Sequence, residues 1–278
     1  EVPWMLSFNY FGHDGPLHTI PETVTNWEGL GGPVRSRFYS AHFAFADGSF
    51  SKVVQHDPEM YFHGEEISIA VRAFTHGYDL YSPHKVIAWH HYGRKGNPKH
   101  WDDDKNWGEK NSHSYSRVRK LFGIGGEKFE RGECKKKFGF GTARTLEDYE
   151  KYAGVRFKDK TIQQYTLDKK FPPNPDYKTK KSYNESFQHY FKYCINLSYD
   201  QVPHDDYKFW AVAFFNDKGK EVYREDALPE EIKRLKDDPD GYVKLWRSFQ
   251  TKENIVRWRV WPESKKHGWG DVIEGNIQ

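Results

Sequence analysis

The sequence predicts an α/β first part followed by an all-β, sandwich-like C-terminal module. Three observations carry this expectation. Hydrophobic residues make up only 36% of 278, and the shortfall is met by aromatics at 17%, whose large rings build a core with few aliphatics. The stretch "GEEISIAVRAFTHG" (64–77) has a helical period, whereas the run just before it alternates. Beyond a Pro- and Lys-rich stretch the runs become short, alternating and broken by turns.

Residues 1–40 are rich in Gly, Pro and His and read as loops with short strands. "HFAFADGSF" (42–50) alternates and turns at Asp47-Gly48, a strand-and-turn signal. In the helix that follows, Ile67, Ala70, Val71 and Phe74 stand at i, i+3, i+4 and i+7, one buried face, and Gly77 sits at its stop. "KVIAWHHY" (85–92) reads as a short buried strand. "TLEDYEKYAG" (145–154) reads as a helix capped by Thr145 and stopped by Gly154. The domains expected are 1–168, a linker over 169–181 and a β module over 182–278 with one inserted helix at "LPEEIKRLKDD".

The net charge of +3 comes from the first 179 residues, since 180–278 hold 17 basic and 17 acidic side chains. The excess gathers at Arg117, Arg119, Lys120, Lys128, Arg131 and Lys135 to Lys137 and reads as a solvated basic face rather than a nucleic-acid patch. No window approaches about 18 continuous apolar residues, so no membrane span is expected. Only Cys134 and Cys194 occur, far apart and in no CxxC pattern, which fits a reducing compartment or simply an unbridged protein; a cytoplasmic location is expected.

Glu65 and Glu66 open the helix behind Gly64, where free backbone N–H groups and the dipole favour negative charge. Two readings stand side by side. They are ordinary first-turn acids, or they are ionised carboxylates that accept hydrogen bonds from the hydroxyls of a sugar or an acceptor. Gly64 allows close backbone approach in either case. His90-His91-Tyr92-x-Arg94 closes the following run. An imidazole there suits a divalent metal and the arginine a phosphate, or the cluster is a half-buried aromatic surface. Asp102-Asp103-Asp104 fits Asp-x-Asp in letters but follows no apolar strand, and reads as a polar loop.

The span "FAFADGSFSKVVQHDPEMYFHGEEISIAVRAFTHGYDLYSPHKVIAWHHYGR" (43–94) resembles the polypeptide N-acetylglucosaminyltransferases that modify hydroxyproline, and their bacterial and phage relatives. The similarity extends more weakly through "SRVRKLFG" and "GFGTARTLEDYEKYAGVRF" to about residue 157. The resemblance implies a GT-A glycosyltransferase fold, a nucleotide-sugar donor such as UDP-GlcNAc, a divalent metal (Mn²⁺ or Mg²⁺) and retention at the anomeric carbon. It places Glu65 and Glu66 against sugar and acceptor, and Asp57 at the Asp-Pro position beside Gly64. His90 or His91 becomes the late metal ligand, Arg94 lies near the diphosphate, and Tyr92 joins Asp57, Gly64 and Arg94 among the donor- or acceptor-binding residues. The donor-binding strands and metal motif of that family have no counterpart in the sequence. This chain is therefore expected to be the acceptor-side portion, inactive without an N-terminal segment or second chain. The acceptor would be a hydroxyl on protein, glycan or modified nucleobase. The competing expectation is a non-catalytic carbohydrate- or protein-binding module derived from such an enzyme.

Overall fold

The structure, a computed structural model, describes residues 1–12, 14–91, 98–130, 136–237 and 242–277. Close approach of Cα atoms divides the chain into two compact units, Glu1–Phe187 and Gln188–Gln278.

In the first unit, β1 (Trp4–Phe11) and β2 (Leu17–Thr23) form an antiparallel hairpin with Trp4 opposite Thr23 and Phe11 opposite Leu17. β3 (Val34–Arg35) is followed by α1 (Phe50–Val53), α2 (Glu65–Thr75) and β4 (Tyr81–Ser82), which returns to pair with β3. Then come α3 (His100–Asp103), α4 (Trp107–Phe122) and α5 (Leu146–Ala153). The small antiparallel pair β5 (Val155–Arg156) and β6 (Thr161–Gln163) precedes α6 (Gln164–Leu167) and α7 (Lys180–Glu185). Aromatic rings knit this unit: Phe122 stacks on Phe157 at 4.2 Å, and Phe11 meets Phe157 edge-on at 6.3 Å.

α2 carries the expected apolar face, but every residue from Ile67 to Thr75 is buried. Its polar members are satisfied internally. Arg72 donates to the carbonyls of Gln55 (2.7 Å), Lys137 (3.2 Å) and Gly139 (3.3 Å), and Thr75 Oγ1 accepts from the Gly141 N–H at 3.0 Å. A buried helix all round needs such partners for each polar group. α5 begins and ends as expected, with Thr145 and Asp148 closing a capping box and Gly154 left-handed at φ 66°.

Two expected strands are absent. Residues 41–48 form no ladder and Phe45 is 93% exposed; Asp47 Oδ1 instead accepts from the Ser49 N–H at 2.8 Å, just ahead of α1. Residues 85–91 form none either, and Trp89 is 72% exposed. Alternation and apolar runs favour a strand only where a sheet covers them, and these two segments lie at the surface.

The segment 169–181 is not a free spacer. Asn174 is buried; its N–H donates to Tyr152 O at 3.0 Å and its Nδ2 to Gln163 Oε1 at 2.7 Å. Polar side-chain bonds hold this stretch on the first unit, which apolar periodicity does not register. The division therefore falls at 187/188 instead of within 169–181.

The second unit opens with β7 (Phe187–Ser198) and continues through β8 (Tyr207–Asn216), β9 (Glu221–Arg224), α8 (Pro229–Lys236), β10 (Tyr242–Thr251), β11 (Ile255–Ser264), β12 (Gly268–Trp269) and β13 (Ile273–Asn276). β7 and β10 pair antiparallel, with Cys194 opposite Trp246. β8 and β11 form the spine of a second antiparallel sheet, with β9, β12 and β13 at its margins. One core joins both sets: Ile195 and Leu197 of β7, Val243 and Leu245 of β10, Trp210, Val212 and Phe214 of β8, and Val260 of β11. In β11, Trp258 and Val260 pack toward this core while Arg257 and Arg259 lie over Phe215, as period-2 alternation requires. Trp261 and Trp269 remain exposed, 4.4 Å apart.

Candidate functional site

The start of α2 lies against α4. Gly64, the N-cap of α2, has φ 101°, a conformation that favours glycine, and a Cβ there would stand 2.2 Å from Val118 Cγ2. Ser114 Oγ donates to His63 O at 2.8 Å, and Arg117 Nε donates to Asp57 Oδ2 at 2.5 Å. Ser114, Arg117 and Val118 thus use the i, i+3, i+4 face of α4 to fix residues 57–64.

This geometry corrects three expectations. Asp57 is buried, paired with Arg117 and bonded through Oδ1 to the Glu59 N–H at 3.1 Å, so it supports the loop and is not turned to a ligand. The close approach that Gly64 permits is taken by Val118. The basic face is partly consumed: Arg117 is buried, and Arg119 bonds Glu127 Oε1 at 2.6 Å and Asp14 O at 2.8 Å. Arg131 and Lys135 lie outside the described residues, as do Cys134, Tyr92 and Arg94.

Glu65 and Glu66 have diverged despite adjacency. Glu66 Oε1 accepts from the Ala41 N–H at 2.8 Å and so holds the 40–42 segment beside the helix start. Glu65 Oε2 is buried with no hydrogen-bond partner among the described residues. Burial, with the Glu66 charge adding to it, pushes the Glu65 carboxyl up to about 7. Desolvation here outweighs the helix dipole and the backbone N–H bonds of the first turn, which favour the charged form.

Glu65 lies at one wall of an open hollow of about 510 Å³, with Tyr39, Phe50, Gln55, His56 and Phe62 among the other lining residues. Phe62 meets Trp101 edge-on at 6.4 Å, and both rings are exposed. A cleft of this size with a few polar groups among rings is the usual form of a small-molecule site. Tyr39, Phe50 and His56 escape sequence reasoning, because they follow no period; the one signal is the density of aromatics between Phe43 and Phe62.

His90 comes to 4.3 Å from the His42 ring, next to the Ala41 that Glu66 holds. The structure therefore brings Glu66 and His90 to adjacent residues, Ala41 and His42, of one short segment. Among the described residues, however, no third His, Cys, Asp or Glu completes a ligand set at His90 or His91. The carboxylates at 102–104 are engaged locally: Asp102 Oδ2 accepts from the Lys99 N–H and Asp104 Oδ2 pairs with Lys110, each at 2.7 Å. Asp102 and Asp103 lie within α3 and Asp104 follows it, where a polar loop was expected.

Among the described residues no helix is long and apolar enough to cross a membrane. No curated protein and no solved structure matches the chain. A family model described as "Glycosyltransferase (GlcNAc)" matches residues 5–159, which contain every lining residue of the cleft, those of α1 and α2 included. The chain belongs to this family of GlcNAc glycosyltransferases.

Proposed function

We propose that the chain serves transfer of an N-acetylglucosamine-type sugar from a nucleotide-sugar donor to a hydroxyl acceptor, with retention at the anomeric carbon, on a GT-A framework. A donor and an acceptor follow from the family itself. The observation that carries the finer reading is Glu65, whose Oε2 is buried without a hydrogen-bond partner among the described residues and whose side chain lines an aromatic-walled cleft.

In this reading the acceptor hydroxyl enters the cleft and donates to Glu65. Its oxygen bonds to the anomeric carbon on the same face from which the diphosphate departs, as retention requires, and the bond from that carbon to the diphosphate breaks. The proton passes to the Glu65 carboxylate, and the nucleoside diphosphate departs. A base with pKa near the working pH is well matched to such a step. Glu66 is a positioning residue that fixes the wall at Ala41. Phe62 and Trp101 offer ring faces to a sugar. Tyr92 and Arg94 are assigned to the donor side, and His90 or His91 to a divalent metal. The described residues alone do not fit that metal, so the step above is not routed through it.

The same reading makes the chain an acceptor-side portion, since the sequence has no Asp-x-His or Asp-x-Asp motif behind an apolar strand. Incubation with UDP-GlcNAc, Mn²⁺ and glycan or peptide acceptors tests both parts, with released UDP and added N-acetylhexosamine as readouts. The chain alone is expected to release no UDP, and robust release would defeat the acceptor-side claim. In the form that transfers, Glu65→Gln should lower the rate by about 10²–10⁴-fold with donor binding kept. An unchanged rate removes Glu65 from the chemistry. Acceptor binding without transfer in every form would instead support the binding-module reading.

A further inference from the structure

We infer that the second unit carries a divalent transition-metal site formed by His204, Asp206 and His267. Their ligand atoms all lie within 4.8 Å of one another. They come from two separate places in the chain: His204 and Asp206 immediately precede β8, and His267 sits on the turn between β11 and β12. All three lie outside residues 5–159, the part that matches the family.

The carboxylate is built into place. Asp206 Oδ1 accepts from Ser264 Oγ and Oδ2 from the Lys266 N–H, both at 2.8 Å. Ser264 Oγ also accepts from the His267 N–H at 3.1 Å, which ties the turn to the same cluster. The Asp206 carbonyl accepts from the Lys265 N–H at 2.9 Å. Burial works against the Asp206 charge, but the bonds from Ser264 and Lys266 hold its carboxyl below the usual range. Such supporting bonds orient a carboxylate ligand and leave lone pairs for a cation.

The two imidazoles are stacked, centroids 4.2 Å apart and 15° from parallel. A metal lies in the plane of each ring it binds, so two parallel rings cannot share one ion without a tilt. His267 is exposed on its turn and supplies that tilt, while the backbone at His204 is anchored by Lys236 Nζ on its carbonyl at 2.6 Å. The Lys236 charge is met by Asp205 at 2.5 Å. Two imidazoles and one carboxylate are the donor set of zinc-like ions, with a fourth position left to water or an external ligand. A bound ion would link the entry of β8 to the β11–β12 turn.

The test uses the full chain, stripped with chelator and titrated with Co²⁺ and then Zn²⁺. One Co²⁺ per chain should give visible d–d absorption that Zn²⁺ displaces. His267→Ala, on an exposed turn, should fold as the parent, abolish the absorption and weaken Zn²⁺ binding by about tenfold or more, since even a lost supporting partner costs 10–100-fold. His204→Ala should do the same, and His189→Ala, at an exposed position elsewhere on β7, should not. Absorption that is absent in the parent, or that survives in both His267→Ala and His204→Ala, overturns the assignment.

Discussion

Gly64 and Val118 leave no space for a side chain between them: a Cβ on Gly64 would lie 2.2 Å from Val118 Cγ2. The contact sets the height of the α2 start above α4, and with it the position of Glu65. Gly64→Ala therefore meets two costs, a strained φ of 101° and an overpacked contact. Together they should lower unfolding stability by about 2–4 kcal/mol. Val118→Ala in the same chain should recover the steric part only. Chemical denaturation of both single variants and the double variant measures this. Strict additivity would show that the two residues do not meet.

Asp57→Asn should behave as a structural lesion. It removes the nearer of two carboxylates from the buried Arg117 guanidinium, Asp57 at 2.5 Å, and leaves Glu59 at 3.3 Å. Breaking a buried pair from one side costs about 3–5 kcal/mol. Removing both partners with an apolar pair should cost less. A donor-binding role for Asp57 would instead show as lost affinity in a variant that melts like the parent.

Glu65 should make stability depend on pH near neutrality. Its folded pKa, about 7, stands above the ordinary 4.5, so its contribution is fully present below 4.5 and is lost as pH rises through 7. The span is on the order of 3 kcal/mol. Glu65→Gln should be more stable than the parent at pH 8 and close to it at pH 4. Transfer should run the other way, rising through pH 7 as the carboxylate forms, and the Gln variant should flatten that rise. Parallel melting and rate profiles separate the two effects.

Thr145→Ala should cost about 1 kcal/mol by opening the capping box of α5. The Thr145 N–H and hydroxyl bonds hold the Asp148 carboxyl below its usual range. The parent should therefore lose part of this stability only as pH falls below the ordinary carboxylate range. The variant keeps the bond from its backbone N–H at 145 and should lose only the hydroxyl's share, leaving a shallower fall. Acid titrations of melting temperature for the two chains provide the comparison.

Helices α2, α5 and α8 were legible because their signals are local, whereas α4, the 16 residues Trp107–Phe122, was not read. Thr145 and Gly154 mark both ends of α5 in sequence, and Gly77 follows α2 as its stop signal requires. The strands expected at 42–50 and 85–92, not formed over the described residues 41–48 and 85–91, show the opposite limit, since a strand exists only with a partner and partners are remote in sequence. The site was half legible. The pair Glu65-Glu66 stood out, but their difference did not, because it depends on whether Ala41 or an empty cleft faces each carboxylate. Asp57 was chosen for its neighbours in sequence. Its actual partner, Arg117, lies sixty residues away on a helix read as a solvated surface.

Arg37 has a bearing on where this protein can be cut. Its buried guanidinium donates to Ala153 O at 2.9 Å, Lys170 O at 2.6 Å and Asn174 Oδ1 at 2.5 Å, and burial pushes it down to about 10, so it stays charged. Two of those three acceptors lie beyond residue 159, where the family match ends. A truncation drawn at the match would leave a cation in the interior with most of its acceptors deleted. The smallest piece able to fold as the first unit therefore extends at least through Asn174, and family boundaries are a poor guide to a stable fragment.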